Sequence, residues 1–405
     1  MTKLAHVRRV VIVGLGNIGS FAASAVARIS EVAFVLLVDP DTYKEENLQG
    51  QGITHEDIGK RKVDVMRRWL LRINPQLKVE VFADVVQKLP LGLLGDSIVL
   101  GCLDSREARR DLSQACWRMG VDYIDAGVQA DGLLARVNVY IPSRHSPCFV
   151  CGWSQEDYES LPQRHPCDGN GSETEVPTNA WAILGQLASS YQVLECQKLI
   201  TGGPGRVLDG MELMVDGAHH RHTVTEIRRS PSCRFDHEVW KIVRLDRGPR
   251  DLTLAQAFAL LDQANHAKTG FAKEKHRSDS NVALRVPGHV FAENLMCVQC
   301  GHSEPAHRWV IRPPLSDQPH KNCSVEPKAH LMPRSFEATE QLMAGRMLSS
   351  LLSRSLQRLG LEAHDVFAVG FSGDGGAHPV ERFFQLAIDQ QPKRTSGGDR
   401  LACQP

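Results

Sequence analysis

The sequence has no excess of charge of either sign, since its 405 residues include 47 Lys+Arg and 47 Asp+Glu. Without a global basic field, neither nucleic acid nor an anionic membrane is expected as the main partner. The sequence also lacks an apolar run of about 18 residues, which a membrane-spanning helix requires. The start, MTKLAHVRRVVIVGLG, contains no small-residue cleavage site, and we interpret its apolar run as a first β-strand and not as a signal peptide.

Cysteine is too sparse for a disulfide scaffold, with 11 residues in the whole chain, and the count is odd. Several of these cysteines stand in Cys-x-x-Cys pairs, which favours metal binding in a reducing compartment. A cytoplasmic location is therefore expected. The rest of the composition, 42% hydrophobic and 23% charged, is typical of globular proteins, and the length allows more than one domain.

Strand-like and helix-like segments alternate from residue 8 to residue 145. The runs VVIVGLG, VAFVLLVD, SIVLGCLD and VDYIDAGV predict strands, and amphipathic segments such as KRKVDVMRRWLLRI predict the helices between them. This βαβ rhythm predicts an α/β fold with a doubly wound, mostly parallel sheet of the Rossmann-like type.

A loop-rich region, residues 146 to 177, follows the predicted sheet. Helical spacing then predicts one helix over 178–201, a second from Leu252 to Gln263 and a third over about 336–359. The stretch 212–245 has strand character. The composition changes near residue 246, which predicts a separate α+β extension in the C-terminal part.

A glycine motif, Gly14-x-Gly16-x-x-Gly19, stands between the first predicted strand and the first predicted helix. In that position glycines let the backbone approach phosphate groups at the positive N-terminus of a helix. Asp39 ends the second predicted strand, where a carboxylate can bind ribose hydroxyls. Taken alone, these residues fit an NAD-dependent oxidoreductase.

Three further motifs follow in order along the chain. DPDTYKEENLQGQ adds Asp41, Asn47 and Gln51, DIGKRKVDVMRRWLLRINPQ places Lys62 at a helix start, and VLGCLDSREARRDL places Asp104 at a strand end. With these motifs the sequence resembles, over residues 10 to 200, the ubiquitin-activating enzymes and their bacterial relatives, the ThiF and MoeB adenylyltransferases. An oxidoreductase would give Lys62, Asn47 and Asp104 no shared purpose.

The resemblance implies ATP and Mg²⁺ as cofactors and assigns roles to these residues. Lys62 would bind the ATP phosphates, Asp104 would hold Mg²⁺ and Asp39 would bind the ribose. The glycines complete the pocket together with Asp41, Asn47 and Gln51. Adenylation of a carboxylate needs a cation against the phosphates and a carboxylate that holds Mg²⁺, and it needs no hydride acceptor.

The chain departs from the resembled motifs at two positions. The family motif Asn-Leu-x-Arg-Gln has Gly50 in place of its arginine, so one phosphate-stabilising charge is missing. The strand-end motif has Ser105 in place of an asparagine, although Arg109 keeps its place. Candidates for the missing charge are Arg8, Arg9 and Arg106, and the sequence does not choose among them.

The cysteines predict two zinc sites. Cys148-x-x-Cys151 follows the strand ARVNVYIP, where the resembled family has half of a zinc site, and Cys233 with His237 stands where the other half is expected. Cys297-x-x-Cys300 and His320-x-x-Cys323 have zinc-ribbon spacing and either form a second site or compete to complete the first. Of these ligands His237 is the least secure. Cys102, Cys116 and Cys196 fall in strand or helix patterns and predict core positions.

Cys167 stands apart from the zinc motifs, in HPCDGNGSETEVPTNAW. In family members that form a thioester, the resemblance implies that the catalytic cysteine occupies this crossover loop, before a helix entered through a threonine. A nucleophilic cysteine acts as its thiolate, and Arg164 and His165 are nearby cationic groups. The alternatives are a further zinc ligand or an inert loop cysteine.

The resemblance therefore implies a homodimeric enzyme that activates a ubiquitin-like protein and passes it to a conjugating enzyme, by analogy in a bacterial pathway of antiviral defence. The expected parts are an adenylation domain (1–160), its crossover loop, helix and return strands (161–245), a zinc-bearing extension (246–390) and a disordered tail (391–405). Alternatives are a sulfur-carrier adenylyltransferase for thiamin or molybdopterin synthesis, a peptide-adenylating enzyme and a non-catalytic zinc scaffold.

Overall fold

The computed structural model describes residues 8–161, 180–203, 205–266, 282–297, 300–311, 331–333, 338–371 and 381–388. The chain divides into two compact units. Unit 1 comprises Met1–Lys241, Val298–Cys300 and Leu315–His330, and unit 2 comprises Ile242–Cys297, Gly301–Pro314 and Leu331–Pro405. Every helix within the described ranges is too short or too polar to span a lipid bilayer.

Unit 1 is built on an eight-stranded sheet in the order β3-β2-β1-β4-β5-β6-β7-β8. The strands are β1 (Arg8–Val13), β2 (Val32–Val38), β3 (Lys78–Phe82), β4 (Ser97–Gly101), β5 (Asp122–Gln129), β6 (Leu134–Tyr140), β7 (Met211–Asp216) and β8 (Arg221–Glu226). Neighbours from β3 to β5 pair in parallel, and the pairs from β5 to β8 are antiparallel. The predicted α/β fold with a mostly parallel central sheet is thereby confirmed.

Helices cover both faces of this sheet, because its central strands are apolar on both sides. Residues of α1 (Gly19–Val26), α2 (Lys62–Ile73) and α5 (Ala182–Thr201) pack into one core with Val10 and Ile12. Residues of α3 (Arg106–Met119) pack into the opposite core with Val11 and Val13. The short α4 (Gln155–Glu159) follows the strand β6 and the Cys148–Cys151 turn.

The strand order reverses between β1 and β4, because the chain leaves β1 towards β2 and β3 and then crosses to β4 on the other side. In open α/β sheets a crevice opens at such a point, outside the carboxyl ends of the strands, and ligands bind there. The glycine motif follows β1 and Asp104 follows β4, so the fold brings these two sequence motifs to the same crevice.

Within its described residues, unit 2 contains two smaller sheets and two α-helices, α6 (Leu254–His266) and α7 (Ser349–Leu352). A five-stranded sheet has the order β15-β10-β16-β17-β9, and in a second sheet β11 pairs with β12, β13 and β14. The strands are β9 (Ile242–Arg244), β10 (Val282–Arg285), β11 (His289–Cys297), β12 (Ser303–Ile311), β13 (Leu331–Pro333), β14 (Ala338–Thr339), β15 (Leu342–Met343), β16 (Val366–Phe371) and β17 (Glu381–Gln385). The unit has its own core, which includes Leu284, Phe367 and Phe384.

The prediction of one amphipathic helix over 336–359 is wrong. The strands β14 and β15 occupy the first part of that range, and α7 is the α-helix that follows. Leu342 is buried as the strand partner of Leu284 in the five-stranded sheet. Pairing with a neighbouring strand therefore outweighs the helical spacing of the apolar residues, which is a weak local preference.

Candidate functional site

Each glycine of the Gly14-x-Gly16-x-x-Gly19 motif has a different structural task. Gly14 has a φ of 88°, and a Cβ there would lie 2.5 Å from the carbonyl oxygen of Cys102. A Cβ at Gly19 would collide with the carbonyl oxygen of Gly14, so α1 can pack closely on the turn. A Cβ at Gly16 would meet only the Gln51 side chain, at 3.9 Å, so the backbone there faces open space. This division of tasks matches that of dinucleotide-binding turns.

A cavity of about 590 Å³ opens above this turn. The predicted nucleotide-binding residues that line it are Gly14, Gly16, Asp39, Asp41, Asn47, Gln51, Lys62 and Asp104. Gly19 is the exception, since it packs the helix against the turn and does not line the cavity. The structure thus brings residues from four sequence motifs, which run from Gly14 to Asp104 along the chain, to one crevice of ligand size.

Asp39 is buried and holds the nucleotide turn in place. Its Oδ2 accepts a hydrogen bond from the Leu15 backbone N–H at 2.6 Å, and its Oδ1 accepts one from the Asp41 N–H at 2.9 Å. Burial raises the pKa of this carboxyl group, while Lys62 and the two backbone donors oppose that shift. The Tyr43 hydroxyl supports the same turn, because it donates to the Leu15 carbonyl oxygen at 2.9 Å.

Lys62 is the first residue of α2, as its motif predicts. The side chain is nearly buried, and its Nζ lies 2.9 Å from Asp41 Oδ2 and 3.9 Å from Asp39 Oδ1. A lysine whose ammonium group is held by two carboxylates at a cavity wall has a fixed position. It is placed to bind an anionic ligand in the cavity.

The cavity fits the expected ATP and Mg²⁺. Gln51 Oε1 is buried and has no hydrogen-bond partner among the described residues, so it is an acceptor available to a ligand hydroxyl or amino group. The Asp104 carboxylate is exposed in the cavity wall, and no described residue donates to it or pairs with it. Free carboxylate oxygens are the ligands that Mg²⁺ prefers, so Asp104 would hold that ion.

Position 50 cannot carry the arginine of the resembled motif in this chain. A Cβ at Gly50 would lie 2.8 Å from the carbonyl oxygen of Ala180, at the start of the segment that enters α5. The Asn17 amide joins these segments, because its Nδ2 donates to the carbonyl oxygens of Gly50 at 2.5 Å and of Ala180 at 2.9 Å. Asn17 was not singled out from the sequence, although it stands inside the glycine motif.

None of the three sequence candidates for the missing charge lines the cavity in the described part of the chain. Arg8 and Arg9 lie at the start of β1, at the opposite end of the strands from the cavity. Arg106 donates to Asp157 at 2.6 Å and lies over the Trp153 ring, which ties α3 to α4. The hydrogen bond from Arg106 lowers the pKa of the Asp157 carboxyl to about 2.

A buried ion network lies below the cavity and was not predicted. Asp125 is fully buried, and its carboxylate binds the Arg109 guanidinium at 2.9 Å and the Arg136 guanidinium at 3.2 Å. The Tyr123 hydroxyl donates to the same carboxylate at 2.8 Å. Gly127 leaves room for the two guanidinium groups, since a Cβ there would lie 2.9 Å from Arg109 Nη1. Arg109 thus has a structural partner and is not free to bind phosphate.

Gln192 of α5 is a second residue that sequence reasoning missed. Its fully buried amide donates to the carbonyl oxygens of Gly101 at 3.0 Å and of Ile124 at 2.9 Å, and it accepts the Cys102 thiol at 3.2 Å. It therefore ties α5 to the end of β4 and to β5, beside the cavity. The sequence does contain a signal for this role, because Gln192 is a polar residue four positions after Ala188, on the face of the helix that the apolar spacing predicts to be buried.

The four predicted ligands of the first zinc site meet in the structure. Cys148 Sγ lies 3.7 Å from both Cys151 Sγ and Cys233 Sγ, and Cys151 Sγ lies 3.1 Å from His237 Nε2. All four ligand atoms lie within 4.8 Å of one another. Tetrahedral zinc, with Zn–S bonds of about 2.3 Å, places two thiolate sulfurs about 3.8 Å apart. The cluster therefore fits a Cys₃His zinc site.

The chemistry of the cluster also favours a cation. Three thiols and an imidazole are the donor types that bind Zn²⁺, which takes each cysteine as its thiolate. His237 packs edge-on against Trp117 of α3, with ring centroids 5.1 Å apart. Arg118, the next residue of α3, donates to both carboxylate oxygens of Asp236 and so fixes the loop segment that carries His237.

The other predicted site residues are only partly within the described ranges. Cys297 ends β11 and is buried, and Cys300 is exposed. Their expected partners, His320 and Cys323, lie outside the described residues, and so does the expected nucleophile, Cys167. The three cysteines predicted for the core are buried, and burial raises the pKa of the Cys102 and Cys196 thiols to about 12.

A Rossmann-like sheet with a phosphate-type glycine turn and a polar cavity at its switch point defines a nucleotide-binding α/β protein. Comparison with protein-family models narrows this class. The model of the ThiF family matches residues 1–235, more than half of the chain, and the chain belongs to the ThiF family.

Characterised relatives of two kinds share this region. The chain is 32% identical over 156 residues to ubiquitin-like modifier-activating enzyme 5 of Dictyostelium discoideum. The aligned region covers 35% of this chain and 40% of that protein. It is also 29% identical over 230 residues to molybdopterin-synthase adenylyltransferase of Salmonella typhimurium, and this alignment covers 56% of this chain and 85% of that protein. The chain thus spans less than half the length of the first of these relatives. The crystal structure of E. coli MccB with ATP matches with a TM-score of 0.47 and 22% identity, covering 57% of this chain and 67% of that one.

Proposed function

We propose that this protein uses ATP to adenylate the C-terminal glycine of a ubiquitin-like protein. The observation that carries the proposal is the convergence of Asp39, Lys62 and Asp104 on one cavity above the glycine turn. Lys62 binds the phosphates, Asp104 holds Mg²⁺ and Asp39 orients the ribose. Membership of the ThiF family supports this assignment.

In the first step an oxygen of the substrate carboxylate bonds to the α-phosphorus of ATP. The bond from that phosphorus to the β-phosphate oxygen breaks, and pyrophosphate leaves. Bound Mg²⁺ neutralises charge on the triphosphate. The chain itself contributes position and charge, because Lys62 is already fixed between two carboxylates and loses little freedom when the ligand binds.

In the second step Cys167 takes the acyl group. Its sulfur bonds to the glycyl carbonyl carbon, AMP leaves and a thioester forms, from which a conjugating enzyme receives the ubiquitin-like protein. A thiolate bound to zinc is a weaker nucleophile, so this role requires Cys167 to be separate from the zinc ligands. Completion of the Cys₃His set by Cys233 and His237 supports that separation, since the cluster needs no further ligand.

The second candidate is an adenylyltransferase for a sulfur-carrier protein or a peptide, without a thioester on Cys167. The match to molybdopterin-synthase adenylyltransferase, which extends over 85% of that protein, favours this candidate. Both candidates share the adenylation step and the same cavity. They differ in the fate of the activated carboxylate.

One experiment separates the candidates: ATP–pyrophosphate exchange with the ubiquitin-like proteins encoded beside this gene, in wild type and Cys167→Ala. We expect both proteins to catalyse exchange, and only the wild type to form a covalent adduct that a thiol reductant releases. Asp104→Asn is the matched control for the first step and should lose exchange.

The outcomes are distinct. Exchange without any reducible adduct in the wild type would identify the second candidate. An equal adduct in Cys167→Ala would move the nucleophile to another residue. The absence of exchange with every carrier would instead favour a non-catalytic zinc scaffold, and substrate-dependent reduction of NAD would overturn adenylation.

We also propose two zinc ions per chain and a homodimer. The first ion is bound by Cys148, Cys151, Cys233 and His237, which the geometry of the cluster supports. The second is bound by the ligands Cys297, Cys300, His320 and Cys323, which have zinc-ribbon spacing.

A further inference from the structure

The charges around the cavity are unevenly distributed. Among the described residues, its lining includes the acids Asp39, Asp41, Glu46, Asp84 and Asp104 and the cations Lys44, Lys62 and Arg109. A nucleoside triphosphate bound in the cavity would add several negative charges to it. Since position 50 supplies no arginine, a phosphate ligand must draw its positive charge from these cations and from bound metal.

Two of the three cations also pair closely with carboxylates of the chain, which offset part of their charge. Arg109 is buried against Asp125 at 2.9 Å, and Lys62 lies 2.9 Å from Asp41 Oδ2. Lys44 differs, because its side chain is 69% exposed and its Nζ lies 3.6 Å from Oε1 of the exposed Glu46. Exposed pairs of this kind contribute little, so the Lys44 ammonium can turn to a stronger partner at small cost.

The backbone of Lys44 is nevertheless fixed beside the nucleotide residues. Lys44 precedes the short 3₁₀ turn Glu45–Gln49, and Gly50 follows the same turn. The Lys44 N–H donates to Asn47 Oδ1 at 2.8 Å, which ties it to a residue that the resembled motif assigns to the nucleotide pocket. Lys44 and Gly50 therefore stand at the two ends of one turn in the cavity wall.

We infer that Lys44 contacts the phosphate chain of the bound nucleotide and supplies the positive charge that Gly50 leaves out. This inference rests on the proposed use of ATP and adds a residue to it. Lys44 acts at the opposite end of the turn from position 50, where the Ala180 carbonyl oxygen closes the space that a side chain would need. Its role is electrostatic and depends on the number of phosphates in the ligand.

The test is direct binding of adenosine, AMP, ADP and ATP to the full-length protein in the presence of Mg²⁺, by isothermal titration calorimetry. We expect Lys44→Ala to weaken ATP binding about tenfold, the size of one lost charge-assisted hydrogen bond. Adenosine binding should not change, and the loss should grow with each phosphate. Lys44→Arg should restore most of the affinity for ATP.

Lys78→Ala is the matched control, because Lys78 is also 69% exposed and paired with a surface glutamate, and it does not line the cavity. Its affinity for all four ligands should equal that of the wild type. An unchanged affinity of Lys44→Ala for ATP overturns the inference. An equal loss of affinity for adenosine and for ATP also overturns it, because it would show that Lys44 only shapes the turn. Failure of the wild-type protein to bind ATP would instead contradict the proposed function.

Discussion

Burial alters the acid–base behaviour of one carboxyl group in unit 2, that of Asp365. The residue precedes β16, and its Oδ2 accepts a hydrogen bond from the Glu362 N–H at 2.6 Å. Burial raises the pKa of Asp365 from 3.8 to about 7, and the Glu362 carboxylate adds to that shift. The folded protein therefore holds a proton on Asp365 at pH values where an unfolded chain has lost it.

This shift predicts how stability depends on pH. Between about pH 4 and pH 7 the folded state binds one proton more than the unfolded state, so the free energy of unfolding falls as the pH rises. Asp365→Asn keeps the acceptor for Glu362 and removes the charge. We expect it to raise the unfolding free energy by about 4 kcal/mol at pH 8 and to change it little near pH 4.

Urea unfolding of both proteins at several pH values measures this effect. Asp251→Asn is the control, because Asp251 is exposed, and its stability curve should run parallel to that of the wild type. If the Asp365→Asn curve also runs parallel to the wild type, the buried carboxyl is ionised in the folded protein and the assignment is wrong.

At the scale of helices and strands, α5 is joined to the sheet by polar contacts as well as by its apolar face. The Gln192 amide donates to the carbonyl oxygens of Gly101, at the end of β4, and of Ile124, within β5. Gln192→Leu has a similar volume but removes both donors, and it leaves buried acceptors without a partner. We expect a loss of about 2–4 kcal/mol in unfolding free energy, measured by urea unfolding.

Gln186→Leu provides the control on the same helix, because Gln186 is exposed. Its stability should stay within about 0.5 kcal/mol of the wild type. Equal stabilities of the two leucine variants would contradict a stabilising role for the Gln192 amide.

The elements differ in how far the sequence predicts them. The strands β1, β2 and β4 contain continuous apolar runs, and this pattern is enough to predict a buried parallel sheet. The turn at position 50 and the amides of Asn17 and Gln192 could not be predicted, because they depend on contacts between residues far apart in the chain. The helix predicted over 336–359 was wrong for the same reason, since a strand partner more than fifty residues away sets the structure of Leu342.

At the scale of the whole molecule, the proposed metal content tests both units together. We expect two zinc ions per wild-type chain by atomic emission spectroscopy, and one each in Cys151→Ser and Cys297→Ser. Cys116→Ala is the control, since Cys116 is a buried core residue and its loss should leave the count at two. A wild-type count of one that falls to zero in Cys151→Ser would remove the second site, and an unchanged count in Cys151→Ser would exclude the Cys₃His cluster.

The candidate site shows the same limit as the fold. Four motifs carry the predicted nucleotide-binding residues in order along the chain, and the structure places all of these residues but Gly19 in the wall of one cavity. The fourth zinc ligand was less secure, because a histidine four residues after Cys233 does not repeat the Cys-x-x-Cys spacing. Only the folded chain shows that His237 reaches Cys151.

The Cys₃His cluster joins two segments whose cysteines, Cys148 and Cys233, are 85 residues apart in the chain. A metal ion bound to both closes a ring that contains α4, α5, β7 and β8. A cross-link that closes a loop of that length lowers the conformational entropy of the unfolded chain. By the chain-entropy model this stabilises the folded state by about 4–5 kcal/mol, as a disulfide would. Unlike a disulfide, this cross-link does not depend on an oxidising environment, so a chelator, and not a reductant, is the agent that opens the ring.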